Sequence, residues 1–268
     1  MNTSFKIQAE KCATLPILQQ RLKLNVQILP ESSTTLDCLL NDDVCRQVLQ
    51  DFATRIHAKN LTCATSLFVK YWCTSWILPF LYCHVAVLPF VKWDSSALVI
   101  DLPEQWYWDR TLQLNQTSFY SFQIIHLQEF NDLIEQLNAL FKQLAKIGRV
   151  PYVLLWENLA VRAVQFYHSF TTQNLNLDIQ SRLEQQKQFF KSKAAESFYL
   201  TENPFVRLWN GWHPEFNTFM RQKCCFYFQL EEAEQTLCRN CPLRLKEIGK
   251  FNCPLRLKEI GKFKDESN

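Results

Sequence analysis

Four cysteines in the C-terminal part of the sequence are the residues whose types and spacing could do chemistry. Cys224 and Cys225 are adjacent, Cys238 and Cys241 form a CxxC pair, and all four fall within eighteen residues. Cysteine thiolates are soft anionic ligands, and a set of four most often holds a metal centre. On coordination grounds, a structural zinc ion and an iron–sulfur cluster fit this set about equally well.

The spacing of these cysteines favours a centre that is larger than one ion. Structural zinc sites usually combine two CxxC-like turns, each of which brings two sulfurs to the same ion. Here one pair is adjacent, and neighbouring side chains of an extended backbone point to opposite faces. Cys224 and Cys225 therefore converge only through a local kink or by binding different atoms of a larger centre. A dinuclear cluster suits that arrangement better than a tetrahedral ion does.

The same residues carry a resemblance to a known family. With Pro242 and Leu243 in place behind the CxxC pair, the motif resembles that of the FhuF-type siderophore-iron reductases. The C-terminal domain of that family has a vicinal Cys pair, a spacer and a CxxC followed by Pro-Leu, and the four cysteines match it one for one. Upstream landmarks also occur in the order typical of the family: Ser66, Tyr71 and Trp72, then Leu155 to Asn158, then Asn203, Pro204 and Phe205.

One departure from the family pattern lies between the two cysteine pairs. Twelve residues separate Cys225 from Cys238, slightly more than is usual in the family. We expect the extra residues, Glu231 to Gln235, to lie in a loop, because lengthening a loop costs little free energy. The resemblance still implies a [2Fe-2S] cluster with four ligands: Cys224, Cys225, Cys238 and Cys241.

The function implied by the resemblance is that of a cytoplasmic ferric-siderophore reductase. Such a protein passes one electron from its [2Fe-2S] cluster to chelated Fe(III), and because oxygen chelators hold Fe(II) less well, iron is released. The expected partners are a ferric siderophore and a ferredoxin-like or flavin-reductase-like electron donor, with no nucleic acid. Peripheral association with the inner face of the membrane is left open. The alternative is a zinc-stabilised or non-catalytic chelate-binding module.

Composition supports a densely packed intracellular protein. At 268 residues the chain can form one large body and a small appended module. Aromatic residues make up 14% and there are only four glycines, which favours packed helices over disorder. An odd count of eleven cysteines cannot form a complete set of internal disulfides, and no secretory signal is visible in Met1 to Arg21, so we expect a reducing compartment.

Other chemistries lack support in the sequence. There is no glycine-rich phosphate loop and no HExxH helix, and no nucleophile is paired with a general base. None of the five histidines has paired ligand spacing. The upstream cysteines are interpreted as small buried hydrophobic side chains: Cys12, Cys38, Cys45, Cys63, Cys73 and Cys83.

Hydrophobic periodicity predicts an α+β fold, with a mostly helical body and a small antiparallel sheet or hairpin. The predicted helices are Asn41 to Ile56, a pair within 60–93 broken at its prolines, Leu127 to Ile147 ending at Gly148, Tyr152 to Phe170, and Asn174 to Ala195. The predicted strands are Leu22 to Leu29 and a hairpin of Ala97 to Asp101 with Trp106 to Leu114. The uncharged run 76–91 has 16 residues, fewer than the roughly 20 that cross a membrane, which favours a buried core.

Three parts of the chain are expected. They are a siderophore-interacting domain at 1–200, a four-cysteine 2Fe-2S module at 201–245 and a basic repeat tail at 246–268. An aromatic cluster should form the core of the module and a low-dielectric wall around the cluster: Phe205, Trp209, Trp212, Phe216 and Phe219.

The tail contains an internal repeat. The segment Asn240 to Phe251 recurs unchanged as Asn252 to Phe263, which gives Cys253 the local context of Cys241. Cys253 has no cysteine three residues before it, so we interpret it as a product of the duplication that does not bind the metal centre. The segment 239–264 carries eight basic and two acidic residues, which would either stabilise a reduced cluster or form a solvated basic tail.

Overall fold

The computed structural model describes residues 3–102, 110–119, 121–171, 173, 175–230, 233 and 236–247. The fold is 61% helical with small sheets, which confirms the predicted α+β class. The helices are α1 (Thr3–Leu22), α2 (Asp42–Arg55), α3 (Leu61–Ala86), α4 (Gln116–Phe119), α5 (Glu129–Gly148), α6 (Tyr152–Thr171), α7 (Leu177–Ser192), α8 (Pro204–Trp209) and α9 (Arg244–Glu247). The strands are β1 (Asn25–Leu29), β2 (Pro89–Phe90), β3 (Thr111–Asn115), β4 (Gln123–Ile124), β5 (Trp212–His213) and β6 (Thr218–Phe219).

Helix α3 is the central element, and α6 packs along it. It begins after Asn60, whose side-chain oxygen accepts a hydrogen bond from the Cys63 amide at 2.9 Å. The predicted pair of helices is wrong, because α3 continues through Pro79 and ends at Ala86, where Val87 adopts a left-handed conformation. A proline inside a helix costs one backbone hydrogen bond and some strain. Burial of α3 on nearly every side outweighs that cost.

The amphipathic helices lie where the sequence predicts them. Asn41 caps α2 by accepting hydrogen bonds from the amides of Asp43 and Val44 at 3.0 and 3.1 Å. Helices α5, α6 and α7 fall within a few residues of their predicted bounds. Helix α1 is not predicted by the sequence, since its apolar residues lack helical periodicity and Pro16 lies inside it.

The strand pairing differs in part from the prediction. Strand β1 lies within the predicted strand, but it pairs in parallel with β3, from Asn25 opposite Thr111 to Leu29 opposite Asn115. The predicted antiparallel partner of β3 contributes only a bridge between Leu98 and Leu114 and its flanking hydrogen bonds. Residues 103–109, which contain the predicted Trp106 to Trp108 part of the hairpin, lie outside the described residues. Antiparallel pairs do form between β2 and β4 and between β5 and β6.

The segment after α7 packs onto the body of the protein. Phe205 is fully buried, and its ring stacks on Phe190 of α7 with centroids 4.6 Å apart. Trp209 contacts the ring of Tyr167 in α6. The expectation that the aromatic residues form a core of their own is therefore wrong, because Phe205 joins the main core and Trp212 is 37% exposed.

No helix in the described part of the chain is both long and apolar enough to span a bilayer.

The glycine at the end of α5 is required by packing. The sequence predicts Gly148 as a helix-ending residue, but Arg149 adopts the left-handed conformation, with φ of 49°. A Cβ atom at Gly148 would lie 2.6 Å from Thr65 Cβ in α3. We expect Gly148→Ala to lower the free energy of unfolding by about 1–3 kcal/mol, as overpacking does. Urea denaturation measures this loss. Thr65→Gly should lower the free energy of unfolding less in the Gly148→Ala protein than in the wild type, because it removes the clashing side chain. Equal losses in the two proteins would contradict the predicted clash.

A partly buried histidine makes stability depend on pH. His84 Nδ1 lies 2.9 Å from Gln186 Nε2 in α7. Burial, with help from the positive charges of Arg182 and His126, lowers the His84 pKa from 6.5 to about 4. Because the unfolded chain binds this proton more readily, the stabilisation is complete above pH 6.5 and is lost as the pH falls toward 4.

The expected result is acid destabilisation that depends on this ring. Between pH 7 and 4.5 the wild type should lose about 1–2 kcal/mol more unfolding free energy than His84→Gln, less than the full shift implies because the ring is partly exposed. Urea titrations across that range measure the difference. Parallel losses in the two proteins would assign the acid sensitivity to other groups.

Candidate metal centre

Two turns bring the four cysteines together. The first follows Cys225, where Phe226 adopts a left-handed conformation with φ of 63° and its amide donates to Cys224 Sγ at 3.4 Å. The second is the CxxC turn, closed by the Cys241 amide donating to the Cys238 carbonyl at 2.9 Å. The local kink that the adjacent pair requires is therefore present. The four thiols lie near one another, as the sequence predicts.

The arrangement of the thiols is compatible with a metal or cluster site. Cys225 Sγ and Cys238 Sγ lie 3.6 Å apart, close to the ~3.8 Å between two thiolates on one tetrahedral ion with bonds of about 2.3 Å. Cys241 contacts both Cys224 and Cys238 through its thiol. Within the described ranges, however, no three His, Cys, Asp or Glu side chains are arranged to hold a single metal ion. The donor set fits a thiolate-bound centre without identifying the metal.

The centre has a buried side and a more accessible side. Cys225 and Cys241 are 1% and 2% exposed. Cys224 and Cys238 are partly exposed. Any group held by the four sulfurs would therefore approach the protein surface at the Cys224 and Cys238 edge.

The two buried thiols of the site, Cys225 and Cys241, have raised pKa values and so favour their protonated forms. The hydrogen bond with Cys238 and burial raise the pKa of Cys225 to about 12, although Lys70 and Arg221 oppose the rise. The contact with Cys224, followed by burial, raises the pKa of Cys241 to about 12. Metal binding must displace these protons, so it couples to proton release.

One face of α3 lines the buried side of the centre. Ser66 Oγ donates to the Cys225 carbonyl at 3.1 Å, and Lys70 Nζ donates to Cys225 Sγ at 3.2 Å. Cys63 Sγ donates to the Phe226 carbonyl at 3.4 Å. These three residues follow helical spacing, so they lie on the same side of α3. The helix thus holds both the backbone and the side chain of Cys225.

Helix α6 holds the chain that leads into the cysteines. The buried carboxylate of Glu157 accepts hydrogen bonds from the amides of Gln222 and Lys223. Asn158 donates to the Ser66 carbonyl at 2.8 Å and accepts from the Arg221 guanidinium. Asn158 therefore joins α3, α6 and the cysteine segment at one point.

Three cations surround the buried side of Cys225. Lys70 is 5% exposed and Arg221 is 2% exposed. Burial, followed by the positive charge of Arg221, lowers the pKa of Arg162, so the two guanidinium groups are close enough to repel each other. Arg221 Nε and Nη1 are buried and have no hydrogen-bond partner among the described residues. None of the three forms an ion pair with a carboxylate within the described ranges. Their charge faces the thiols.

The upstream landmarks have separate structural roles. Ser66 and Asn158 belong to the site, whereas Trp72 is buried against Phe68 in the core. Trp156 Nε1 donates to the Tyr152 hydroxyl at 2.9 Å, away from the cysteines. Asn203 caps α8 by accepting from the Phe205 amide at 2.8 Å.

The remaining cysteine predictions have mixed outcomes. Four of the upstream cysteines are buried as predicted: Cys45, Cys63, Cys73 and Cys83. Cys38 is partly exposed, and Cys63 contacts the site through the Phe226 carbonyl. The Cys12 side chain, most of the predicted loop 231–235 and the repeat tail from residue 248 onward, which includes Cys253, lie outside the described residues.

Sequence reasoning missed the charged residues that surround Cys225. Lys70 carried a usable signal, because it is the lone Lys or Arg in the otherwise apolar helix α3 and falls four residues after Ser66. A buried lysine needs a partner. Arg221 and Glu157 gave no comparable signal, since neither stands in a spacing that indicates a site.

A comparison with models of known protein families finds no match to this chain, and a comparison with curated proteins finds none either.

Proposed function

We propose that this protein is a cytoplasmic ferric-siderophore reductase that acts in iron homeostasis. The observation that supports the proposal best is the clustering of four thiols, with one edge partly exposed and buried cations behind the other. Cys224, Cys225, Cys238 and Cys241 would hold a [2Fe-2S] cluster. When bound, the cluster would supply one-electron redox chemistry.

The surroundings of the four cysteines suit electron transfer. Lys70 and Arg221 offset the negative charge of thiolates in a buried setting, where an unpaired charge is costly. The partly exposed edge at Cys224 and Cys238 offers a short path to a bound chelate. No acid–base pair is needed, because reduction alone weakens the hold of oxygen ligands on iron. The electron donor would be ferredoxin-like or flavin-reductase-like, and contact with the membrane would be peripheral.

A zinc-stabilised or non-catalytic chelate-binding module is the second candidate. The 3.6 Å separation of the Cys225 and Cys238 sulfurs supports this candidate as well, because the distance suits two thiolates on one zinc ion. Zinc has no redox chemistry, so the metal content decides between the two functions.

The test is an anaerobic absorption and EPR spectrum before and after dithionite, with iron, sulfide and zinc assayed on the same sample. We expect visible charge-transfer bands that bleach on reduction, with about two irons and two sulfides per chain. A colourless protein with one zinc per chain would rule out the reductase. Electron transfer to a ferric chelate, followed as Fe(II) release, completes the test.

An exposed arginine beside the cysteines should influence the choice of chelate. Arg239 lies within the CxxC turn, and its guanidinium donates to the Asn217 carbonyl at 3.0 Å. We expect Arg239→Glu to slow reduction of an anionic ferric catecholate by about 3–10-fold at low salt and to spare a neutral ferric hydroxamate. Initial rates at two ionic strengths measure this effect, with Arg207→Glu as a control in α8. Equal slowing of both chelates would indicate damage to the centre instead of lost attraction.

A further inference from the structure

We propose that Lys70 is a positioning residue that sets the reduction potential of the four-cysteine centre, with Arg162 and Arg221 as supporting cations. This inference rests on the proposed function and extends it. Lys70 acts through its hydrogen bond to Cys225 Sγ and through its positive charge. Its role is to stabilise the more negative, reduced form of the centre.

The contact between Lys70 and Cys225 is buried and direct. Lys70 Nζ donates to Cys225 Sγ at 3.2 Å, and both residues are nearly inaccessible to solvent. The Nζ atom also lies 4.7 Å from the ring centroid of Tyr227 and 5.1 Å from that of Tyr71. Aromatic faces attract the cation but do not neutralise it. Once Cys225 holds a metal centre as a thiolate, its sulfur would therefore be the anionic partner of Lys70.

The two arginines extend the positive charge around the same sulfur. Arg162 Nε donates to the Lys70 carbonyl at 3.4 Å, which ties α6 to α3 next to the site. Arg221 is anchored through Asn158, and two of its nitrogens remain unpaired among the described residues. Lys70 and Arg221 are buried, Arg162 is partly buried, and none of the three pairs with a carboxylate among the described residues, which is a costly arrangement. An anionic thiolate centre supplies the missing charge.

The balance of charge favours the reduced state. Four thiolates would outweigh the positive charge of a two-iron, two-sulfide core, so a bound cluster would be anionic, and its reduced form would be the more negative of the two. A fixed cation interacts more strongly with the more negative state. Hydrogen bonds to the ligand sulfurs act in the same direction, and local hydrogen bonding and charge are recognised determinants of cluster potentials. Removing the Lys70 charge must then make reduction harder.

The decisive experiment is a redox titration of Lys70 variants, followed by EPR and absorption. Lys70→Gln keeps a donor without the charge, Lys70→Met removes both, and Lys70→Arg keeps both. Lys142→Met is the matched control, because Lys142 also lies against an aromatic ring, that of Tyr199, but belongs to exposed α5 surface. Iron content and urea denaturation are measured on every variant, so that a loss of the centre is separated from a change in its potential.

We expect Lys70→Gln and Lys70→Met to shift the oxidised-to-reduced equilibrium at least about tenfold toward the oxidised form, a fall of ~59 mV for one electron. Lys70→Arg should stay within about threefold of the wild type, and Lys142→Met should not change. If Lys70→Met fails to fold, Lys70→Gln still decides the question. A wild-type potential in both neutral variants, with full iron content, would overturn the role of Lys70 and leave the reductase standing. Zinc without iron or sulfide in the wild type would instead overturn the reductase itself.

Discussion

Replacing Cys238 with serine is expected to give a colourless protein without bound iron or sulfide and without ferric-chelate reduction. Cys238 Sγ lies 3.6 Å from Cys225 Sγ and contacts Cys241, so it is a shared neighbour of both buried sulfurs. A serine hydroxyl is a hard, neutral group that holds iron poorly in place of a thiolate. The expected loss of bound iron and of activity is at least about tenfold. Replacing a residue that only hydrogen-bonds to a metal ligand already costs about that much, and Cys238 would be a ligand itself.

Two matched variants show whether the loss is specific. Cys38→Ser removes a partly exposed thiol outside the site, and Cys253→Ser removes the repeat copy of Cys241. Both should keep the colour, the iron content and the rate of the wild type. A coloured, active Cys238→Ser protein, or a colourless Cys253→Ser protein, would overturn the ligand assignment.

Asn158→Leu is expected to have the largest effect on stability, roughly 3–5 kcal/mol of unfolding free energy. The side chain is fully buried, donates to the Ser66 carbonyl at 2.8 Å and accepts from Arg221. Leucine has a similar volume, so little of the loss comes from packing. Two nitrogens of the Arg221 guanidinium already have no hydrogen-bond partner among the described residues. The cost arises because the variant also removes the hydrogen bond from this guanidinium to Asn158.

The Asn158 prediction is checked by urea denaturation of the metal-free and loaded proteins. Ser66→Ala is the comparison, because it removes only the hydroxyl that donates to the Cys225 carbonyl and accepts from Asn158 Nδ2, and it should cost about 1–3 kcal/mol, less than Asn158→Leu. The Asn158 variant should also retain less iron, since Arg221 leads directly into the cysteine pair. A loss no larger than that of Ser66→Ala would show that Arg221 finds other partners.

Local patterns in the sequence predicted a large part of this fold. Asn41 and the acidic residues after it marked the start of α2, and the spacing of apolar residues located α5 and α6. The cysteine cluster was also predictable, because a CxxC turn and an adjacent pair are short-range features. These elements follow from residues that are neighbours in the chain.

The parts that failed depend on distant contacts. Pro79 indicated a break, but packing around α3 keeps the helix intact. Strand β1 has its partner more than eighty residues away, and no local pattern specifies a parallel pairing over that distance. In the same way, Lys70 and Arg221 acquire their roles only when α3, α6 and the cysteine segment meet.

The attachment of Cys225 to α3 limits how the cysteine segment can be used outside this protein. An excised peptide of residues 201–245 would retain every sulfur but would lack Lys70, Ser66 and Asn158, which lie far upstream. Its thiols would face water where they now face an ammonium group and a guanidinium. Grafting this segment onto another scaffold would therefore transfer the ligands without their electrostatic setting. An engineer who wants that setting must carry over α3 and α6 as well.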